Sequence, residues 1–252
     1  MAVFENPVIS KQIGCALVTV FGNQPTLRSG ADAFATVIET AVSLGADRNQ
    51  ICILNPPGNP EGRGFKKVLR PKFKTGYVQP RLQAEGTWIT KPKQAIILPS
   101  RDCIAACLVC LVTGAVALGH SGREASRPVK IPGDKPPSII TLLRQIAPGY
   151  KREQVMAFLS SSICPDCFGH DTEHGQELVK DFADLGEGEL LLGDPADGKL
   201  RMLACNYMYL LGHGIAKKHI LIDDTCTNCS PAFGSYRHGD KTDNYTFLIK
   251  QS

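Results

Sequence analysis

The stretch CIAACLVCLVTGAVALG, from Cys103 to Gly119, is the most apolar in the chain. It falls short of the roughly 20 residues of a comfortable membrane span. Thr113-Gly114 divides it into two short runs of β-type residues, so it is predicted to fold as a buried β-hairpin. A core around it is affordable, since 43% of the 252 residues are hydrophobic and 21% charged.

Other elements follow from spacing. Phe34, Val37, Ile38, Ala41 and Val42 recur at helical intervals within residues 31–44, and Gly45 is a natural stop. Ile51–Leu54, Thr87–Thr90, Ala95–Leu98, Ile220–Ile222 and Tyr245–Ile249 read as strands, the last closing the sheet. Ile139–Ile146, Gln176–Phe182 and Leu200–Leu211 read as helices, and residues 55–80 and 121–137 as long connections flanking the hairpin. Strands and helices mix without regular βαβ alternation. The expected fold is therefore α+β, a single domain over residues 1–252 with central mixed sheets flanked by helices.

A net charge of +4 without a sustained Lys/Arg run argues against nucleic acid as a partner and favours small anions only weakly. The first residues, MAVFENPVISKQIGC, lack the pattern of a signal peptide, and ten cysteines without one point to reduced thiols or metal ligands in the cytoplasm.

The hairpin sets the first chemical constellation. Cys103 opens one strand and His120 ends the next, so pairing brings them to the same end of the sheet. A thiol and an imidazole there can bind zinc or act as nucleophile and base; a structural cysteine near an ordinary histidine is the plainer alternative. The second is Cys164-Pro-Asp-Cys167 with Cys226-Thr-Asn-Cys229, two pairs that could give four thiolates to a tetrahedral zinc if folding joins them. His170 and His174 could instead complete a local set with Cys164 and Cys167, or the thiols could stand without metal. In Ser235-Tyr236-Arg237-His238, Arg237 could hold a phosphate or carboxylate, or face solvent.

Together these pieces resemble the laccase-domain family, known also as multicopper polyphenol oxidase, peptidoglycan editing factor or zinc-dependent purine nucleoside phosphorylase. Its alanine-Asp-Cys, apolar hairpin and His-Ala-Gly-Trp-Arg-Gly correspond to Arg101-Asp102-Cys103, the hairpin and His120-Ser121-Gly122-Arg123. Its Ile-Gly-Pro and Cys-Cys-Tyr resemble Ile163-Cys164-Pro165-Asp166-Cys167-Phe168. Its closing pattern resembles Asn206, Leu210, Gly214, Cys226-Thr227, Phe233 and Ser235-Tyr236-Arg237. The likeness covers roughly residues 85–250.

The resemblance implies a zinc site with Cys103 and His120 as ligands, phosphate held by Arg123 and Arg237, and purine nucleoside and phosphate as partners. Zinc is the expected cofactor rather than copper, because multinuclear copper sites need many histidines and this chain has six, none before His120. The sequence also departs from the pattern. The family's first histidine ligand falls in Asn55-Pro56-Pro57-Gly58, where proline replaces it, and His238 replaces the second terminal arginine. His238, His170 and His174 are the histidines left to act as a third ligand. The readings that follow are a phosphorylase or deaminase with an incomplete metal site, an inactive relative binding zinc or nucleoside, and a Cys-His hydrolase.

Overall fold

The structure is a computed structural model that describes residues 3–5, 15–20, 31–56, 68–73, 79–128, 136–149, 151–168, 176, 202–240 and 243–251. The expected α+β class holds. Among the described residues, eleven strands form two sheets, and three helices of eight residues or more cover their outer faces.

The six-stranded sheet runs in the order β1 (Val3–Glu5), β2 (Cys15–Val20), β11 (Asn244–Lys250), β6 (Ala95–Ser100), β3 (Ile51–Leu54) and β4 (Gln79–Leu82). The five-stranded sheet runs β10 (Ile220–Ile222), β9 (Val155–Leu159), β7 (Ile104–Cys110), β8 (Val116–Ser121) and β5 (Gly86–Ile89). Both mix parallel and antiparallel pairs.

The alternation of side chains along each strand explains the layering. Ile96 and Leu98 of β6 meet Ala105, Cys107 and Val109 of β7 between the sheets. Ala95 and Ile97 face the other way, onto Val37, Ile38 and Ala41 of α1 (Ala31–Ser43). On the far side of the second sheet, Ile104, Ala106, Leu108 and Cys110 pack under α2 (Ser138–Ile146) and α3 (Met202–Gly212). The layers are thus helix, sheet, sheet, helices. Every residue of β7 is buried, because this strand is covered on both faces.

The apolar stretch is the hairpin its sequence predicts. β7 and β8 pair antiparallel from Ile104↔Ser121 to Val109↔Val116, and Gly114 takes a φ of +65° in the turn, a region glycine enters without strain. Gly45, at φ +100°, ends α1 in the same way. Three expectations change. The connection over 55–80 ends in a strand, β4, recruited by parallel pairing with β3. β9 was not foreseen, because its five residues, VMAFL, carry no alternating pattern. β11 lies inside the six-stranded sheet, between β2 and β6, rather than closing an edge. The expected helix Gln176–Phe182 lies outside the described residues apart from Gln176, which is helical. Among the described residues, no helix is long and apolar enough to cross a membrane.

Candidate functional site

The hairpin register delivers the first pair. His120 stands opposite Ala105 and Ser121 opposite Ile104, so Cys103, just before β7, reaches the same sheet end as His120. The Cys103 sulfur faces the imidazole as an acceptor for its ring N–H. A third residue joins them: Glu85 Oε2 lies 2.6 Å from His120 Nδ1. Glu85 sits just before β5, and the β5–β8 register, Gly86↔Gly119, sets it beside His120. The His120 backbone N–H also donates to the Glu85 carbonyl, at 2.6 Å. Glu85 is only 2% exposed. Nothing in its local sequence marks it, since its partner is 35 residues away and is chosen by strand pairing alone.

The carboxylate, imidazole and thiol therefore form one hydrogen-bonded line. Burial opposes a charge on His120. The Cys103 sulfur and the Glu85 carboxylate outweigh it and push the imidazole up to about 10, so the ring is an imidazolium at neutral pH. Gly122 permits the close packing. A Cβ there would lie 2.6 Å from His120 Cε1, 2.8 Å from Nε2 and 3.0 Å from Cys103 Sγ.

Cys103, His120 and Gly122 line a cavity of about 440 Å³. Its wall includes Asn55, Pro56, Arg101, Asp102, Ser121, Arg123, Phe168, Met202, Tyr236 and Arg237. Cys103, His120, Arg123 and Arg237 thus surround one space. Arg123 is exposed and makes no ion pair among the described residues. Arg237 is held, its guanidinium donating to the Phe168 carbonyl and lying over the Phe168 ring. Arg101 is braced by Asp243 at 3.3 Å and stacks on Tyr236. The Ser121 hydroxyl is buried and has no hydrogen-bond partner among the described residues.

The zinc that the resemblance implies fits this pocket only in part. Cys103 and His120 supply two donors, whereas a catalytic zinc normally takes three from the protein. Glu85 bonds His120, but among the described residues no third His, Cys, Asp or Glu brings a donor atom close enough to both Cys103 and His120 to complete a metal-binding set. His238 Nδ1 lies 3.9 Å from Asp240 Oδ2, and Pro57, His170 and His174 lie outside the described residues.

The second constellation assembles. Cys164, Cys167, Cys226 and Cys229 bring their sulfurs within 4.8 Å of one another, a cluster that could hold a metal. The cause is a strand pair. β9 runs parallel to β10, and the segments beyond them stay side by side through the Ser162↔Cys226 bridge. Each segment then delivers its C-x-x-C. None of the nine cysteines with described side chains is in a disulfide.

Residues 67–249 match the family model described as multi-copper polyphenol oxidoreductase laccase. The chain belongs to that family. Solved structures share the fold seen here. YlmD from Geobacillus stearothermophilus superposes with a TM-score of 0.71 at 17% identity, covering 96% of this chain and 93% of its own. The hypothetical protein YfiH of Bacillus licheniformis gives 0.67 at 15% identity, with 95% and 93% covered. A Neisseria meningitidis protein of the DUF152 family gives 0.67 at 16% identity, with 95% of each covered. No curated protein matches the chain in sequence.

Proposed function

We propose that the cavity at Cys103 and His120 is the active site of a cytoplasmic enzyme that cleaves purine nucleosides with phosphate. The observation that carries the reading is the line Glu85–His120–Cys103, which opens on a cavity with Arg123 and Arg237 in its wall. A volume of about 440 Å³ suits a nucleoside-sized ligand.

In this reading a phosphate oxygen bonds to the sugar C1′ as the C1′–N9 bond breaks, and the bonding pair leaves with the base. The His120 imidazolium hands its proton to the departing base, as a general acid should. Glu85 holds the ring and its charge. Arg123 meets the phosphate, and Arg237 adds its charge from the wall. The Ser121 hydroxyl, buried with no hydrogen-bond partner among the described residues, is placed to bond a polar group of the ligand. Tyr236, 65% exposed at the rim, offers a ring to the base.

Incubation of the purified chain with inosine or adenosine and phosphate tests the reading. Free base and pentose 1-phosphate should appear, and both should be lost in His120→Ala. Binding of nucleoside without turnover would instead identify an inactive relative.

One observation favours a second reading. Carboxylate, imidazole and thiol in line are also the parts of a thiol hydrolase. Cys103 would attack an acyl carbonyl, His120 would protonate the leaving group, and water would then cleave the thioester. Rapid alkylation of Cys103 at neutral pH, with hydrolysis of activated esters, would support it; an inert thiol would dismiss it.

A further inference from the structure

The four-cysteine cluster lies outside the active-site line, yet it is tied to it at Asp102. Thr227, between Cys226 and Cys229, donates its hydroxyl to Asp102 Oδ1 at 2.9 Å. The Arg237 backbone N–H donates to Asp102 Oδ2 at 3.3 Å. From the other segment, the Ile163 N–H donates to the Asp102 carbonyl at 3.0 Å. Asp102 is the neighbour of Cys103. Phe168, whose carbonyl receives Arg237, is the neighbour of Cys167.

The cluster has the chemistry and dimensions of a metal site. Zinc–sulfur bonds of about 2.3 Å in a tetrahedron set the sulfurs about 3.8 Å apart. Here all four sulfurs lie within 4.8 Å of one another, and Cys167 Sγ and Cys229 Sγ are 3.5 Å apart. That is far beyond the roughly 2.05 Å of a disulfide. It also leaves room for one ion rather than a cage of several irons. The Cys164 backbone N–H points at Cys226 Sγ, 3.2 Å away, a hydrogen bond that steadies a thiolate ligand. Four soft sulfur donors in a tetrahedral set, with no open position, suit a structural zinc.

We propose that Cys164, Cys167, Cys226 and Cys229 bind one zinc ion, and that this ion staples residues 226–237 to Asp102 and so fixes the wall of the Cys103–His120 cavity. The metal closes the gap between segments that are 62 residues apart at Cys164 and Cys226. It holds the loop that carries Tyr236 and Arg237. It takes no part in the bond changes.

Metal analysis of the full chain, purified under reducing conditions without chelator, tests the site. About one zinc per chain is expected. It should persist in Cys103→Ala and fall below a tenth in Cys226→Ser/Cys229→Ser. Because loss of two ligands can prevent folding, Cys229→His is the companion variant. It should keep the metal and, loaded with cobalt, shift the absorption bands of the tetrathiolate site. Four free thiols without metal, two disulfides, or iron in place of zinc would overturn the assignment. So would metal lost in Cys103→Ala but kept in the double variant. The staple is read separately, by mass-spectrometric alkylation of the Cys103 peptide. Stripping the zinc should speed labelling several-fold, and an unchanged rate would overturn the coupling. Metal content does not depend on base release, so failure here and failure of the enzymatic reading are distinct results.

Discussion

Glu85 Oε2 and His120 Nδ1 stand 2.6 Å apart, a buried carboxylate against an imidazole whose other edge meets Cys103. The imidazole's value, about 10 against an ordinary 6.5, makes its charge stabilising. Below about pH 6.5 the ring is protonated in folded and unfolded chains alike, and the contribution is complete. Between about 6.5 and about 10 the unfolded chain gives up its proton first and the contribution fades; above about 10 it is gone. Glu85→Gln should lower the His120 titration followed by NMR. It should also cost about 1.5–3 kcal/mol near pH 6, the range for a hydrogen bond to a charged group. The difference in denaturant midpoint between the two proteins should shrink as pH rises towards 10.

Gly122→Ala puts a methyl group where imidazole and thiol already sit, 2.6 Å from His120 Cε1 and 3.0 Å from Cys103 Sγ. Overpacking of this kind costs about 1–3 kcal/mol. The site must also open, since the backbone of Ser121–Gly122 is fixed by pairing and by the Ser126 N–H bond to the Gly122 carbonyl. Catalysis in a folded Gly122→Ala protein should fall by at least tenfold. Thermal melting beside initial rates would separate this from simple unfolding.

The two arginines should respond differently. Arg123 is exposed and spends no ion pair on the described fold, so Arg123→Ala should leave melting within about 0.5 kcal/mol of the parent. It should raise the phosphate KM on the order of tenfold, the equivalent of one charge-assisted bond. Arg237→Ala should weaken phosphate binding and stability together, because its guanidinium also holds the Phe168 carbonyl. Phosphate titrations and denaturation curves on both variants would reveal the split.

Asp102→Ala removes the acceptor of both Thr227 and the Arg237 N–H. Two partners left searching should cost about 1–3 kcal/mol. The larger effect belongs to the cavity wall: KM for nucleoside should rise, while His120 keeps its titration because Glu85 and Cys103 are untouched. Asp102→Asn, which keeps an acceptor for Thr227, should lie between the parent and Asp102→Ala.

What the chain disclosed in advance was local. The hairpin showed in its composition and its Thr113-Gly114 break, and once that was fixed Cys103 and His120 had to meet. α1, α2, β3 and β6 announced themselves by apolar spacing and flanking glycine or proline. What stayed hidden was long-range. Glu85 is an ordinary acidic residue until β5 pairs with β8. The two C-x-x-C pairs were visible, but their meeting depended on β9, a strand too short and too evenly apolar to be recognised, running beside β10. Register between distant strands is a property of the packed sheets, and no window of neighbouring residues contains it.

β11 lies between β2 and β6, paired with each over six of its seven residues. Without it the six-stranded sheet is two unconnected pieces, β1–β2 and β6–β3–β4. Every other described strand is made before β11 leaves the ribosome. Until β11 is made, β2 and β6 each present an open strand edge, and β11 enters the sheet as a keystone rather than as an outer course.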